Sequence, residues 1–137
     1  VCSHSFSCNQ GCKLFLFDSS SAVTVDDCTD CDIYIAPVSG SIFLRNCSQC
    51  RVVAACQQFR TRDCHNLSVS LFCQTLPIIE SSEAVAFSCF RGFYFALGGQ
   101  LSQSKLDPYN NFWAKVRPQA GRHAGQGRCA LPQHLWR

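Results

Sequence analysis

Two patterns in this sequence are capable of chemistry. The first is a pair of CxxC units, Cys28-Thr-Asp-Cys31 and Cys47-Ser-Gln-Cys50, with 15 residues between them. Four thiolates at that spacing can hold a structural zinc ion. The second is a trio of arginines, Arg45, Arg60 and Arg62. A guanidinium is a permanent cation with a planar fork of donors that matches carboxylate or phosphate. Which of these chemistries is available depends on where the side chains point, and therefore on the elements that carry them.

The cysteines recur on a period. Cys12, Cys31 and Cys50 lie 19 residues apart, Cys28 and Cys47 share that spacing, and Asn46-Cys47 returns as Asp63-Cys64 after 17. Written beneath one another, the repeats align Cys12, Leu14, Leu16 with Cys31, Ile33, Ile35, with Cys50, Val52, Ala54 and with Leu67, Val69, Leu71. Lys13, Asp32, Arg51 and Ser68 alternate with them, as a strand with one buried face requires. A second strand follows, with inward columns Val23, Ile42, Phe59, Leu76 and Val25, Leu44, Thr61, Ile78, and a polar corner column Asp27, Asn46, Asp63, Glu80. Parallel strands with corners at fixed phase predict a β-helix, in which each coil buries its face against the next. Leu67 stands where Cys50 would recur, so the column asks for an apolar group rather than a thiolate, and a free thiol packs as a small hydrophobe. A structural zinc protein using Cys28, Cys31, Cys47 and Cys50 remains the lesser alternative. Asn9 breaks the pattern in the first, partial coil, where the later coils have Cys28 and Cys47.

After Glu80 the period weakens, although Val85, Phe87 and Cys89 still alternate. Asp107-Pro108 then reads as a helix start, with Tyr109, Phe112, Trp113 and Val116 on one face as a cover for the solenoid. From Pro118 onward acidic residues and periodicity are both absent, which predicts a β-helix domain over 1–117 and a disordered or non-family tail over 118–137.

The same alignment points Thr24 and Asp26, Phe43 and Arg45, Arg60 and Arg62, then Pro77 and Ile79 outward. Like charges side by side in a ladder repel, so the arginines need an acidic or phosphate partner from this chain or another. Glu80, in the adjoining corner, is one such neighbour. The plainer alternative is a solvated face whose arginines meet the acidic corners, and surface pairs of that kind decide little.

Composition excludes other classes. The 137 residues suffice for one core, charged residues are 15%, and the net charge of +3 offers no basis for nucleic-acid binding. The chain has neither an apolar run of membrane-spanning length nor a signal peptide. It lacks methionine, so the native start is expected upstream, with any lipid anchor encoded there. Twelve cysteines between apolar strands that can form a core unaided predict reduced thiols and a cytoplasmic location. No phosphate-binding loop, nucleophile elbow or carboxylate pair marks a self-contained enzyme.

The strings DDCTDC, RNCSQC, CQQFRTRDC (Cys56 to Cys64), PIIESS and YNNFW resemble the tubulin-folding cofactor C family, most of all its X-linked retinitis pigmentosa protein branch. The likeness runs from Gly11 to Arg117. It implies an all-β, right-handed parallel β-helix with a short C-terminal helix, and activation of an Arf-like small GTPase through an arginine finger in the QxxR part of the motif. Carried over, Arg60 is the finger, Gln57 a supporting contact, and Arg62 and Glu80 interface residues. GTP and Mg²⁺ would be the partner's, with no cofactor or metal of the chain's own. The alternative is a non-catalytic effector or scaffold that grips a GTPase or tubulin. Association with a membrane or cilium would come through segments outside this sequence.

Overall fold

The computed structural model describes residues 2–92, 94–115 and 117–119. Its architecture is a parallel β-solenoid with one short helix, as the period predicts. One ladder contains β1 (Cys2–Ser7), β3 (Ser20–Asp26), β5 (Val38–Arg45), the second half of β6 (Arg51–Arg62), β8 (Ile78–Glu80) and β10 (Arg117–Gln119). The other contains β2 (Lys13–Leu16), β4 (Asp32–Ile35), the first half of β6, β7 (His65–Cys73) and β9 (Glu83–Cys89). Strand β6 belongs to both because Ala54, Ala55 and Cys56 are buried in succession. Alternation lapses there, and the strand bends from one face to the next. Val23, Val25, Ile42, Leu44, Phe59, Val69, Leu71 and Phe87 fill the interior.

The polar corners follow from backbone conformation. Asp27, Asn46, Asp63 and Ser81 have φ of 54°, 52°, 53° and 45°, and three residues later Asp30, Gln49, Asn66 and Ala84 return to the left-handed region. Asp and Asn tolerate that region better than other side chains, so they punctuate each turn. Ala84, exposed and at φ 52°, has no such excuse. Ala84→Gly is expected to stabilise the fold by about 1 kcal/mol, relieving left-handed strain without opening a cavity; a denaturant titration checks the sign. Gly40 serves a different need. A Cβ there would lie 2.2 Å from the Ser21 carbonyl oxygen, where the β3–β5 register shifts.

Three expectations are corrected. The fourth coil is one residue out of phase: Arg60 pairs with Ile78, Thr61 with Ile79 and Arg62 with Glu80. Pro77 and Ile79, expected outside, therefore turn toward the core beside Phe59 and Thr61, while Leu76 is 38% exposed. A one-residue slip exchanges every side chain between the two faces of a strand, and here it moves Glu80 from a corner onto the outward face.

The helix is α1 (Leu97–Gln103), not a segment beginning at Asp107. The backbone from 107 is committed elsewhere. Asp107 N–H donates to Gln74 Oε1, the Gln74 amide donates back to the carbonyls of Asp107 and Asn110, and Phe112 N–H donates to the Cys73 carbonyl at 2.8 Å. Asn111 Oδ1 accepts from Cys73 N–H. The segment is a strap over the corner after β7, with Trp113 packed on the core and Tyr109 96% exposed. Val116, the last member of the expected apolar face, lies outside the described residues, as do residues 120–137 of the expected tail.

Asn9 does not empty the first coil of its thiol. Cys8, one residue earlier, packs against the core, as do Cys12 and Leu14, and the corner is one residue longer, with Gly11 at φ 65°.

The CxxC cysteines are core groups. Cys28, Cys47 and Cys64 each donate to the carbonyl two residues back, those of Asp26, Arg45 and Arg62, at 3.3 Å. In the corrected register the next member of that column is Ser82, whose hydroxyl makes the same bond to Glu80 O at 2.8 Å. Burial is the chief cause that pushes the thiols of Cys28 and Cys50 up to about 12 and about 11, away from the deprotonated state zinc requires. Among the described residues no group of three or more His, Cys, Asp or Glu side chains is placed to hold a metal ion.

Thr61 is fully buried and its hydroxyl has no partner among the described residues. Thr61→Val, nearly the same shape, is expected to stabilise by about 1 kcal/mol by removing an unsatisfied polar group. An unchanged or lowered unfolding midpoint would show that the hydroxyl is satisfied in solution.

Candidate functional site: an arginine face on the solenoid

The outward face of the β3–β5–β6–β8 ladder carries two rows. The register sets Thr24, Phe43, Arg60 and Ile78 side by side, and Asp26, Arg45, Arg62 and Glu80 beside them. The second row reads acid, base, base, acid. Arg45 grips Asp26 in a bidentate pair, Nε to Oδ1 and a terminal nitrogen to Oδ2, both at 2.6 Å. At the other end Glu80 accepts from Arg62 at 2.9 Å and 3.0 Å. It also accepts from Arg60 at 3.0 Å across the rows. The arginines thus meet acids on the strand face itself. Of the corner column that the plainer alternative set against the arginines, Glu80 does meet them, whereas Asp27 Oδ1 accepts from Asn46 at 2.7 Å.

Phe43 lies at the centre. The guanidinium carbons of Arg60, Arg45 and Arg62 lie 5.2, 5.4 and 5.6 Å from its ring centroid. The negative face of an aromatic ring attracts cations, which offsets the repulsion among three of them. Sequence patterning placed Phe43 on this face but gave it no role; a lone outward aromatic among arginines in neighbouring coils was the available signal.

Burial raises the pKa of the Glu80 carboxyl, and the hydrogen bonds and charges of Arg62 and Arg60 outweigh it, leaving a value below the ordinary 4.5. A depressed carboxylate favours the folded, paired state above its unfolded pKa and loses that contribution as pH falls through the folded one. The Arg60–Glu80–Arg62 clamp is therefore complete at neutral pH. A carbon-detected titration of Glu80 is expected to show a midpoint below 4.5, and a midpoint above it would mean that the pairing is not kept in solution.

Of the four residues singled out from the sequence, the structure brings Arg60, Arg62 and Glu80 together. Gln57 stands apart from the ion-pair cluster, exposed at the bend of β6. Its carbonyl accepts from Thr75 N–H at 3.1 Å and Thr75 Oγ1 at 3.0 Å.

The model of the family "Tubulin binding cofactor C" matches residues 3–119. The chain belongs to that family. Protein XRP2 of Gallus gallus is 47% identical over 107 residues, covering 78% of this chain and 30% of XRP2. The human tubulin-specific chaperone C is 27% identical over 105 residues, covering 77% of this chain and 30% of that protein. The higher identity puts this cofactor C domain with the XRP2 branch. The solved structure of tubulin binding cofactor C from Leishmania major superposes with a TM-score of 0.79 at 29% identity, over 95% of this chain and 89% of that one. The chain spans less than a third of the XRP2 length it matches. No helix among the described residues is long and apolar enough to cross a membrane.

Proposed function

We propose that this cofactor C domain activates an Arf-like small GTPase by supplying Arg60 to the partner's active site as an arginine finger. Gln57, Arg62 and Glu80 would form the surrounding interface. The observation that carries this reading is the sharing of Glu80. Arg60 holds one carboxylate oxygen and Arg62 the other. When Arg60 leaves to meet a phosphoryl group, a carboxylate only 15% exposed is not stranded, because Arg62 still pairs with it. Breaking a buried pair is costly when it leaves an unpaired charge, and this arrangement avoids that cost.

A guanidinium delivered in trans stabilises the charge that spreads over phosphoryl oxygens during hydrolysis. The partner would provide the nucleotide, Mg²⁺ and the group that positions water; the chain contributes a cation on a rigid strand, so little ordering is needed on docking. The reading makes the domain an activator without a reaction of its own, at work in the cytoplasm. Any membrane or ciliary attachment would belong to segments outside this sequence.

The test is single-turnover hydrolysis by a GTP-loaded Arf-like GTPase, with and without the domain. A large increase in rate supports the proposal. GTP-dependent binding without acceleration would instead favour a non-catalytic effector or scaffold. That second reading, with a GTPase or tubulin as partner, rests on the family and on an arginine face that would dock as well as catalyse.

A further inference from the structure

We propose that Phe43 is a positioning residue that sets the plane and reach of the Arg60 guanidinium; this rests on the function proposed above. The two rows of the face treat their arginines differently. Arg45 has Asp26 as a row neighbour and Arg62 has Glu80, so each is anchored by a carboxylate in its own row. The row neighbours of Arg60 are Phe43 and Ile78, both uncharged. Its one acidic contact among the described residues is the cross-row bond to Glu80, which an incoming phosphoryl group would replace. The ring, by contrast, is not displaced by an anion, because it offers no charge for the anion to compete with.

Arg60 is also the guanidinium nearest to the ring, at 5.2 Å, and its Nε–H is buried without a hydrogen-bond partner among the described residues. The inner end of the fork is thus shielded while a terminal nitrogen reaches the carboxylate. Once Glu80 is released, Phe43 keeps the fork from sampling rotamers that face away from the partner. Positioning of this kind acts on the chemical step and not on affinity, since Arg45 and Arg62 keep their own anchors.

Three measurements on the full chain test this. In the hydrolysis assay above, Phe43→Leu is expected to lower the maximal single-turnover rate roughly five- to thirty-fold, the range of one cation–π contact, with the half-saturating concentration of domain changed less than about twofold. Phe43→Tyr should restore the rate, and Phe43→Leu should add nothing to Arg60→Ala. Independently of any GTPase, the proton on the buried Arg60 Nε should resonate upfield in the unsubstituted chain and lose that displacement in Phe43→Leu. An Hε shift that Phe43→Leu leaves unchanged would overturn the proposal. So would an unchanged maximal rate, or a loss confined to half-saturation, which would make Phe43 a docking contact. A ring-shifted Hε in a domain that never accelerates hydrolysis would overturn the GTPase-activating reading while leaving the ring–guanidinium geometry in place.

Discussion

Arg60→Ala is expected to abolish the acceleration of GTP hydrolysis while the domain still binds its GTPase. The loss should be on the order of 10³–10⁵ in single-turnover rate, the span attributed to a guanidinium supplied in trans. The fold should survive, because the Arg60 side chain is 36% exposed and its removal leaves Glu80 paired with Arg62. Binding should survive because Arg45 and Arg62 remain on the same face. Arg60→Lys should rescue poorly, since an ammonium lacks the planar fork. Acceleration that persists in Arg60→Ala would move the catalytic group elsewhere on the face, and loss of binding in step with rate would make Arg60 a docking residue.

The second large effect is on stability. Phe59→Ala should cost about 3–5 kcal/mol, the usual range for deleting a buried phenyl ring. Small domains are stable by only about 5–15 kcal/mol, so the variant would be marginal. Phe59 is fully buried, pairs with Ile42 in the ladder, and meets the Phe87 ring edge-on at 6.1 Å. It thereby joins the two ladders at the strand that carries Arg60. A cost below about 1 kcal/mol in urea unfolding would mean that neighbouring coils collapse into the space, contrary to the close packing expected of protein interiors. The comparison with Arg60→Ala is informative in itself. At Arg60 a substitution should remove activity and leave the fold intact; at Phe59, one residue earlier in β6, it should bring the domain to the margin of its stability.

The solenoid was legible because its determinants are periodic: alternating apolar columns and Asx corners repeat at intervals that a single chain displays. The first three coils keep their register for that reason. The fourth escaped because Ser82 replaces the cysteine of the corner column, and aligning Asp63 with Glu80 instead of Ser81 shortened the coil by one residue. Arg60 and Arg62 were recognisable as outward from the alternation, with Glu80 as an acidic neighbour in the adjoining corner, and the family resemblance gave them their roles. That Glu80 stands on the same face, in the row of Arg62, followed only from the true register. The helix at Leu97–Gln103 was hidden by Gly98 and Gly99, poor helix formers held by side-chain bonds such as Ser19 Oγ to Gln103 Oε1. The strap from Asp107 looked helical because Asp-Pro caps helices, yet its hydrogen bonds depend on Gln74, some 33 residues away, which local patterning does not contain.

The buried cysteines also make the solenoid a recorder of its own breathing. Successive coils hide thiols at Cys28 and Cys31, at Cys47 and Cys50, at Cys56 and Cys64, and at Cys73, all unpaired among the described residues and nearly inaccessible. An alkylating reagent can reach each one only when its coil opens, and coils that touch only their neighbours open with separate free energies. Labelling rates by position would therefore chart where along the axis the molecule loosens, with no probe introduced. Arg60 is flanked by Cys56 in its own strand and by Cys64 just past the strand's end, so the map would show directly whether the arginine face sits on the most persistent coil or on one that frays.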